Sequence, residues 1–171
     1  RVGLVGRAHR GTVQPSCDAL VTDTPGVPLL VRFADCVPIL LPDPVRRAIG
    51  VAHAGWRGAV ATVVGATVRA LVERLGCEPD CVWAGIGPAI GPCCYEVGAD
   101  VVATVQAACP VDAHISRQAA GKTFLDLPGV VRTQLQAAGV RRIEDSNLCT
   151  ACHVDEFFSH RLERGTTGRF G

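Results

Sequence analysis

The sequence predicts an α+β fold, and two observations carry that prediction. Short apolar runs bounded by Gly, Pro or Asp crowd the first third of the chain. Later stretches instead repeat their apolar residues at helical spacing. Strands and helices follow one another without a regular β-α-β alternation, which argues for a mixed sheet. At 171 residues the expectation is one domain spanning 1–171, long enough to bury a substantial core.

The elements follow in order. Ala19–Thr22, Pro28–Phe33, Val37–Leu41 and Ala48–Ala52 read as strands, with a Pro-Asp-Pro turn at Pro42–Pro44. Ala59–Leu75 reads as one helix, with Val60, Val63, Val64, Val68, Leu71, Val72 and Leu75 at helical spacing and Gly76 as a left-handed cap. Its amino end follows Gly55-Trp56-Arg57-Gly58, where helix amides favour an anion. Val82–Ile86 reads as a buried strand running into the Gly/Pro-rich loop 87–98, which reads equally as a connection or as a substrate loop. Ala99–Cys109 is a helix stopped by Pro110. A second helix spans about Pro128–Ala138 with Pro early and Gly139 at its end. Val140–Ile143 is strand-like, and the polar tail 145–171 carries Phe157-Phe158-Ser159-His160-Arg161.

Composition excludes several classes. No apolar stretch is long enough for a membrane span, and a net charge of +1 with scattered arginines gives no nucleic-acid face. The chain has no methionine, and its opening residues Arg1–Gly6 lack the features of an export signal, so the expectation is a fragment beginning inside a larger fold. Nine cysteines without such a signal point to a reducing compartment, with most of them serving as small buried hydrophobes.

Three constellations bear chemistry. Cys149-Thr150-Ala151-Cys152-His153 matches the haem-attachment pattern, but that chemistry belongs to exported proteins and no methionine offers a distal ligand. No second C-x-x-C completes a zinc site with it, since Cys77 and Cys81 have three residues between them. Cys36 and His53 are the stronger pair, at the ends of two apolar runs. Spacing alone leaves open a buried thiol beside a hydrogen-bonded imidazole, a metal site, or a Cys/His nucleophilic pair. His114 and His153 read as surface or structural residues.

The runs Ala34-Asp35-Cys36-Val37-Pro38, Gly50-Val51-Ala52-His53-Ala54-Gly55-Trp56-Arg57-Gly58, Gly91-Pro92-Cys93-Cys94-Tyr95-Glu96-Val97 and Cys149-Thr150 with Phe157-Phe158-Ser159 resemble the YfiH/laccase-domain family. That family is also called polyphenol oxidase-like and is regarded as purine nucleoside phosphorylases with adenosine deaminase activity. The resemblance runs from about Arg7 to the end. It implies an α+β layered sandwich shared with the cytotoxic-necrotizing-factor-type hydrolases. It also implies a zinc ion held by His9, Cys36 and His53, although Arg7-Ala8-His9-Arg10-Gly11 matches the family's Gln-Val-His-Gly motif only approximately. Such a site, with one open coordination position, is of the catalytic kind.

On this reading Asp35 and Arg57 are catalytic, as proton carrier or supporting carboxylate and as anion contact. Cys94, Phe158 and Arg161 are substrate contacts, with Arg164 competing for the last role. Substrates are purine nucleosides and phosphate: phosphorolysis of adenosine, inosine, guanosine and methylthioadenosine, and deamination of adenosine. The expected setting is cytoplasmic, as monomer or homodimer, without membrane or nucleic-acid partners. The alternatives are a copper-dependent polyphenol oxidase, for which five histidines are few, a metal-free hydrolase using Cys36 and His53, and a catalytically silent binding protein.

Overall fold

The computed structural model describes residues 1–109 and 116–171. Pro110, expected to stop a helix, and His114 lie outside the described residues. Among the described residues, nine strands form two sheets. The larger is built from β1 (Val2–Leu4), β2 (Ala19–Thr22), β3 (Val37–Asp43), β4 (Ala48–Ala54), β5 (Trp83–Ile86) and β9 (Arg142–Asp145), in the order β1-β2-β4-β3-β5-β9. Its outer pairs, β1/β2 and β5/β9, are parallel and its inner pairs antiparallel, so the sheet is mixed as expected. The smaller sheet is antiparallel, with β6 (Glu96–Val97) and β7 (Ser116–Ala119) flanking β8 (Lys122–Leu125).

Helices α2 (Val63–Leu75) and α4 (Leu127–Ala137) cover one face of the large sheet. Strand alternation sends Val37, Ile39 and Leu41 into that layer, where they share a core with Val64, Val68 and Leu71 of α2 and Val130, Val131 and Leu135 of α4. On the opposite face Leu40 and Ile49 stay exposed. No helix among the described residues is long and apolar enough to cross a membrane.

Several boundaries differ from expectation for physical reasons. Residues 28–33 form no strand; only Phe33 makes a bridge, to Phe170. Strand β3, which this segment leads into, is already flanked by β4 and β5, so the segment finds no free edge beside it. It lies instead over the open face, where Leu29, Leu30 and Val31 line a cavity with Leu40 and Val51. The turn after β3 falls at 44–47, because Pro42 and Asp43 continue the strand. The Asp43 carboxylate caps that turn, Oδ1 accepting the Val45 and Arg46 amides at 2.8 and 2.9 Å.

The expected helix from 59 to 75 is two helices. A short α1 (Trp56–Val60) ends before Thr62, which sits in the left-handed region at φ +50° and starts α2. The break coincides with capture of the Ala59 carbonyl by the Gln134 side chain of α4 at 2.7 Å. Gly76 does cap α2 at φ +67°. Helix α3 (Ala99–Ala107) and α4 stand close to their predicted places. The last strand is shifted by two residues, since the Val140 amide is bound to the Leu135 carbonyl at the end of α4. Strands β1, β6, β7 and β8 were not foreseen: β1 and β6 are three and two residues long, β6 lies inside the Gly/Pro-rich loop, β7 is polar, and β8 is held by pairing with both β6 and β7.

Candidate active site

Antiparallel pairing of β3 and β4 places Pro38 opposite His53 and Val37 opposite Ala54. Cys36 and His53, seventeen positions apart in sequence, therefore meet at one end of the sheet. Glycine at position 55 permits this: a Cβ there would come within 3.0 Å of Cys36 Sγ. His53 is tied to the start of β2, its amide donating to the Asp18 carbonyl at 2.8 Å while Nδ1 stands 3.7 Å from the Asp18 carboxylate.

Both side chains line a cavity of about 390 Å³. Tyr95, His160 and three arginines, Arg32, Arg161 and Arg169, share its wall. The loop 87–98 delivers Tyr95, anchored where Ile90 donates to the Asp35 carbonyl (2.9 Å) and Leu125 to the Tyr95 carbonyl (2.9 Å). The tail closes the other side through paired backbone bonds between Phe33 and Phe170 at 2.9 and 3.1 Å. Arg161 reaches the Glu96 carbonyl, and its guanidinium lies 5.0 Å above the Tyr95 ring. Burial, and then the Asp35 carboxylate, push the Cys36 thiol up from its ordinary value, while Arg169 pulls it back. Burial also raises the Tyr95 phenol, against the pull of Arg161.

Asp35 is buried, with both carboxylate oxygens engaged: Oδ1 accepts from the Thr150 hydroxyl and Oδ2 from the Arg161 amide, each at 2.6 Å. With its carbonyl on Ile90 it joins three segments that wall the cavity. Of the two roles considered for it, this geometry serves that of a supporting carboxylate.

Other expected site residues are not brought together. His9 lies in an exposed turn, Nδ1 accepting the Gly6 amide at 3.1 Å, and faces a different cavity beside Arg69 and Glu73 of α2. The crossover from β1 to β2 carries it away from Cys36 and His53, which corrects the expected ligand triad. Arg57 does not line the cavity; its guanidinium lies 4.4 Å above its neighbour Trp56. The helix it opens, α1, has five residues rather than a long helix's amino end. Cys94 points to Cys152 instead, with sulfurs 3.5 Å apart. Phe158 packs toward Phe170 outside the cavity wall. Arg161, not Arg164, lines the cavity. Arg32 and Arg169 were missed because their loops give no periodic signal. His160 was visible only as part of the Phe157–Arg161 segment.

All nine cysteines are free, and only Cys77 and Cys149 are buried, so the expectation of mostly buried thiols fails. Burial and then the Asp43 carboxylate push the Cys77 thiol up to about 12.

The fold and this thiol–imidazole cavity define a class: an α+β protein whose candidate site lies at the end of a mixed sheet, walled by a loop and a returning tail. Residues 2–171 match the family described as multi-copper polyphenol oxidoreductase laccase, and the chain belongs to that family. It is 43% identical over 168 residues to the purine nucleoside phosphorylase YlmD of Geobacillus stearothermophilus, covering 96% of this chain and 61% of that protein. It is 36% identical over 153 residues to human purine nucleoside phosphorylase LACC1, covering 85% of this chain and 35% of that one. The crystal structure of YlmD from Geobacillus stearothermophilus superposes with a TM-score of 0.94 at 41% identity, over 99% of this chain and 67% of that one. A Bacillus licheniformis YfiH structure gives 0.94 at 38% identity, over 99% and 67%. The chain thus spans about three fifths of the length of the first of these relatives.

Proposed function

We propose that this chain carries the site of a purine nucleoside phosphorylase that also deaminates adenosine. The observation that carries the reading is the cavity itself. Its volume of about 390 Å³ falls in the range of small-molecule sites, and it combines two aromatic rings, two imidazoles, a thiol and three guanidinium groups. Relatives bearing the name purine nucleoside phosphorylase support it.

In this reading the purine of adenosine, inosine, guanosine or methylthioadenosine stacks against Tyr95. Phosphate is held among Arg32, Arg161 and Arg169, whose planar forks suit its oxygens. A phosphate oxygen forms a bond to the ribose carbon as the bond from that carbon to the base breaks, and the base takes up a proton, for which His160 stands on the cavity wall. Asp35 holds Arg161 and Thr150 in register.

Cys36 and His53 are the residues that would hold a metal here. A thiol and an imidazole facing one cavity are two donors that zinc accepts. When bound, zinc would supply Lewis acidity and an activated water for deamination. Five histidines in the whole chain make a multicopper centre the weaker reading. We place the reaction in the cytoplasm, where nine thiols stay reduced.

The test is zinc content and nucleoside turnover on the same samples of wild type and Cys36→Ala. The variant should lose about one zinc per chain and on the order of 100-fold or more in adenosine deamination, the reaction for which zinc would supply the activated water. Undiminished turnover in zinc-free wild type would instead make Cys36 a nucleophile and this chain a cysteine hydrolase.

A further inference from the structure

Four of the nine cysteines converge on one point outside the candidate active site. Cys93 and Cys94 come from the loop between β5 and β6; Cys149 and Cys152 come from the turn that follows β9. All four sulfurs lie within 4.8 Å of one another. Cys152 Sγ is 3.6 Å from Cys93 Sγ and 3.5 Å from Cys94 Sγ.

We propose that Cys93, Cys94, Cys149 and Cys152 form a tetrathiolate site for a structural zinc ion. A tetrahedron of sulfurs at the usual zinc–sulfur bond length of ~2.3 Å has edges of about 3.8 Å. The separations of Cys152 from Cys93 and Cys94, 3.6 and 3.5 Å, lie close to that figure, and the other pairs lie within 4.8 Å. They do not match a disulfide, which needs ~2.0 Å between two sulfurs. Cys152 stands almost equally far from two partners, the pattern of shared coordination and not of a pair.

The backbone is shaped for the same purpose. The Gly91 amide donates to Cys149 Sγ at 3.3 Å, a bond that favours a thiolate. The Gly91 carbonyl accepts the Cys94 and Tyr95 amides, both at 3.0 Å, curling the loop around that sulfur. A Cβ on residue 91 would lie in van der Waals contact with Cys93 Sγ at 3.4 Å and Cys149 Cβ at 3.5 Å, so the loop backbone packs directly on these two residues. In the partner turn the Cys149 carbonyl accepts the Cys152 and His153 amides at 3.0 and 3.2 Å. Ala89 and Leu148 bind across the seam, as do Thr150 and Ala89, each at 3.1 Å. Cys93 and Cys152 are exposed, which leaves an entry path for the ion.

The sequence conceals this site because one half is an adjacent pair instead of a second C-x-x-C. Its place in the fold gives it a task. Tyr95 follows Cys94 and lines the candidate active site; Thr150 follows Cys149 and binds Asp35. An ion here would rivet loop 87–98 to the tail and hold both residues at the cavity wall. The proposal does not depend on the purine reading.

The test uses the full chain carrying Cys36→Ser, which removes the thiol of the other candidate site. After purification under reductant and reconstitution with zinc alone, it should retain about one zinc per chain with four sulfur neighbours at ~2.3 Å by X-ray absorption. Cobalt substituted for zinc should show the sulfur-to-metal charge transfer of a tetrathiolate. Adding Cys152→Ser should lower retained zinc at least about ten-fold. Zinc absent from the Cys36→Ser protein, zinc bound by nitrogen or oxygen instead, or a Cys93–Cys152 or Cys94–Cys152 disulfide persisting under reductant would each overturn the proposal. The Cys36→Ser measurements stand even if the double variant fails to fold.

Discussion

Asp35 adopts φ +77°, a backbone region that costs most side chains strain and that Asp and Asn tolerate best. The conformation turns its carboxylate inward to meet the Thr150 hydroxyl and the Arg161 amide. Replacement by alanine would leave the buried Thr150 hydroxyl and the part-buried Arg161 amide without acceptors, at ~1–3 kcal/mol each at most, and add backbone strain. Replacement by asparagine keeps an oxygen for Arg161 and lets the Thr150 hydroxyl accept from the amide nitrogen. Asp35→Ala should therefore lower stability to urea by roughly 2–5 kcal/mol, and Asp35→Asn by less than half as much. If the residue positions Arg161 and carries no proton, Asp35→Asn keeps the pH profile of turnover while Asp35→Ala raises KM for phosphate. A pH limb that vanishes in Asp35→Asn would restore the proton-carrier role.

At the scale of elements, what the sequence made legible was what local pattern controls. The apolar runs 19–22, 37–41 and 48–52 became β2, β3 and β4, and Gly76 and Gly139 ended helices as glycine does. Tertiary contacts decided the rest. The split at Thr62 coincides with a hydrogen bond from Gln134, 75 positions from Ala59, which no helical period encodes. Residues 28–33 carry strand composition but meet a sheet already paired on both sides of β3. Cys36 and His53 were readable because strand pairing aligned them; His9 misled because its motif matched only approximately and its chain segment crosses away. The turn between β3 and β4 shows how a buried carboxylate serves an element. Burial disfavours the Asp43 charge, but the Arg46 and Val45 amides, with the Cys77 thiol and the Arg46 charge, outweigh it and hold its pKa below the ordinary 3.8. A pKa depressed on folding stabilises the fold above the unfolded value and loses that contribution as pH falls through the folded one. The stability gap between wild type and Asp43→Ala should therefore be steady from pH 7 to 5 and shrink below pH 3.8. Chemical denaturation across that range measures it, and a gap that widens on acidification would contradict the assignment.

For the whole molecule, the helices sit on one side of a six-stranded sheet and leave the centre of the other side thinly covered. Leu40 is 55% exposed and Ile49 37%, although they occupy β3 and β4, the two central strands. The register pairs Pro42 with Ile49 and Leu40 with Val51, so these side chains form one contiguous strip. Leu29, Leu30 and Val31 lie over part of it, and Leu30 is itself 65% exposed. Scattered apolar residues on a surface need no explanation, but a joined patch on a sheet face holds water at a free-energy cost of about 25 cal/mol per Å². Leu40→Lys tests how much of that patch acts as one surface. The side chain already reaches solvent, and the change of strand propensity is worth under about 1 kcal/mol, so the fold should persist. Retention on a hydrophobic-interaction column and fluorescence of a bound apolar dye should both fall, and the candidate active site, whose wall does not include Leu40, should stay intact. Unchanged retention in a folded Leu40→Lys protein would mean that the 29–31 segment already shields the strip in solution, leaving it part of the interior and not of the surface.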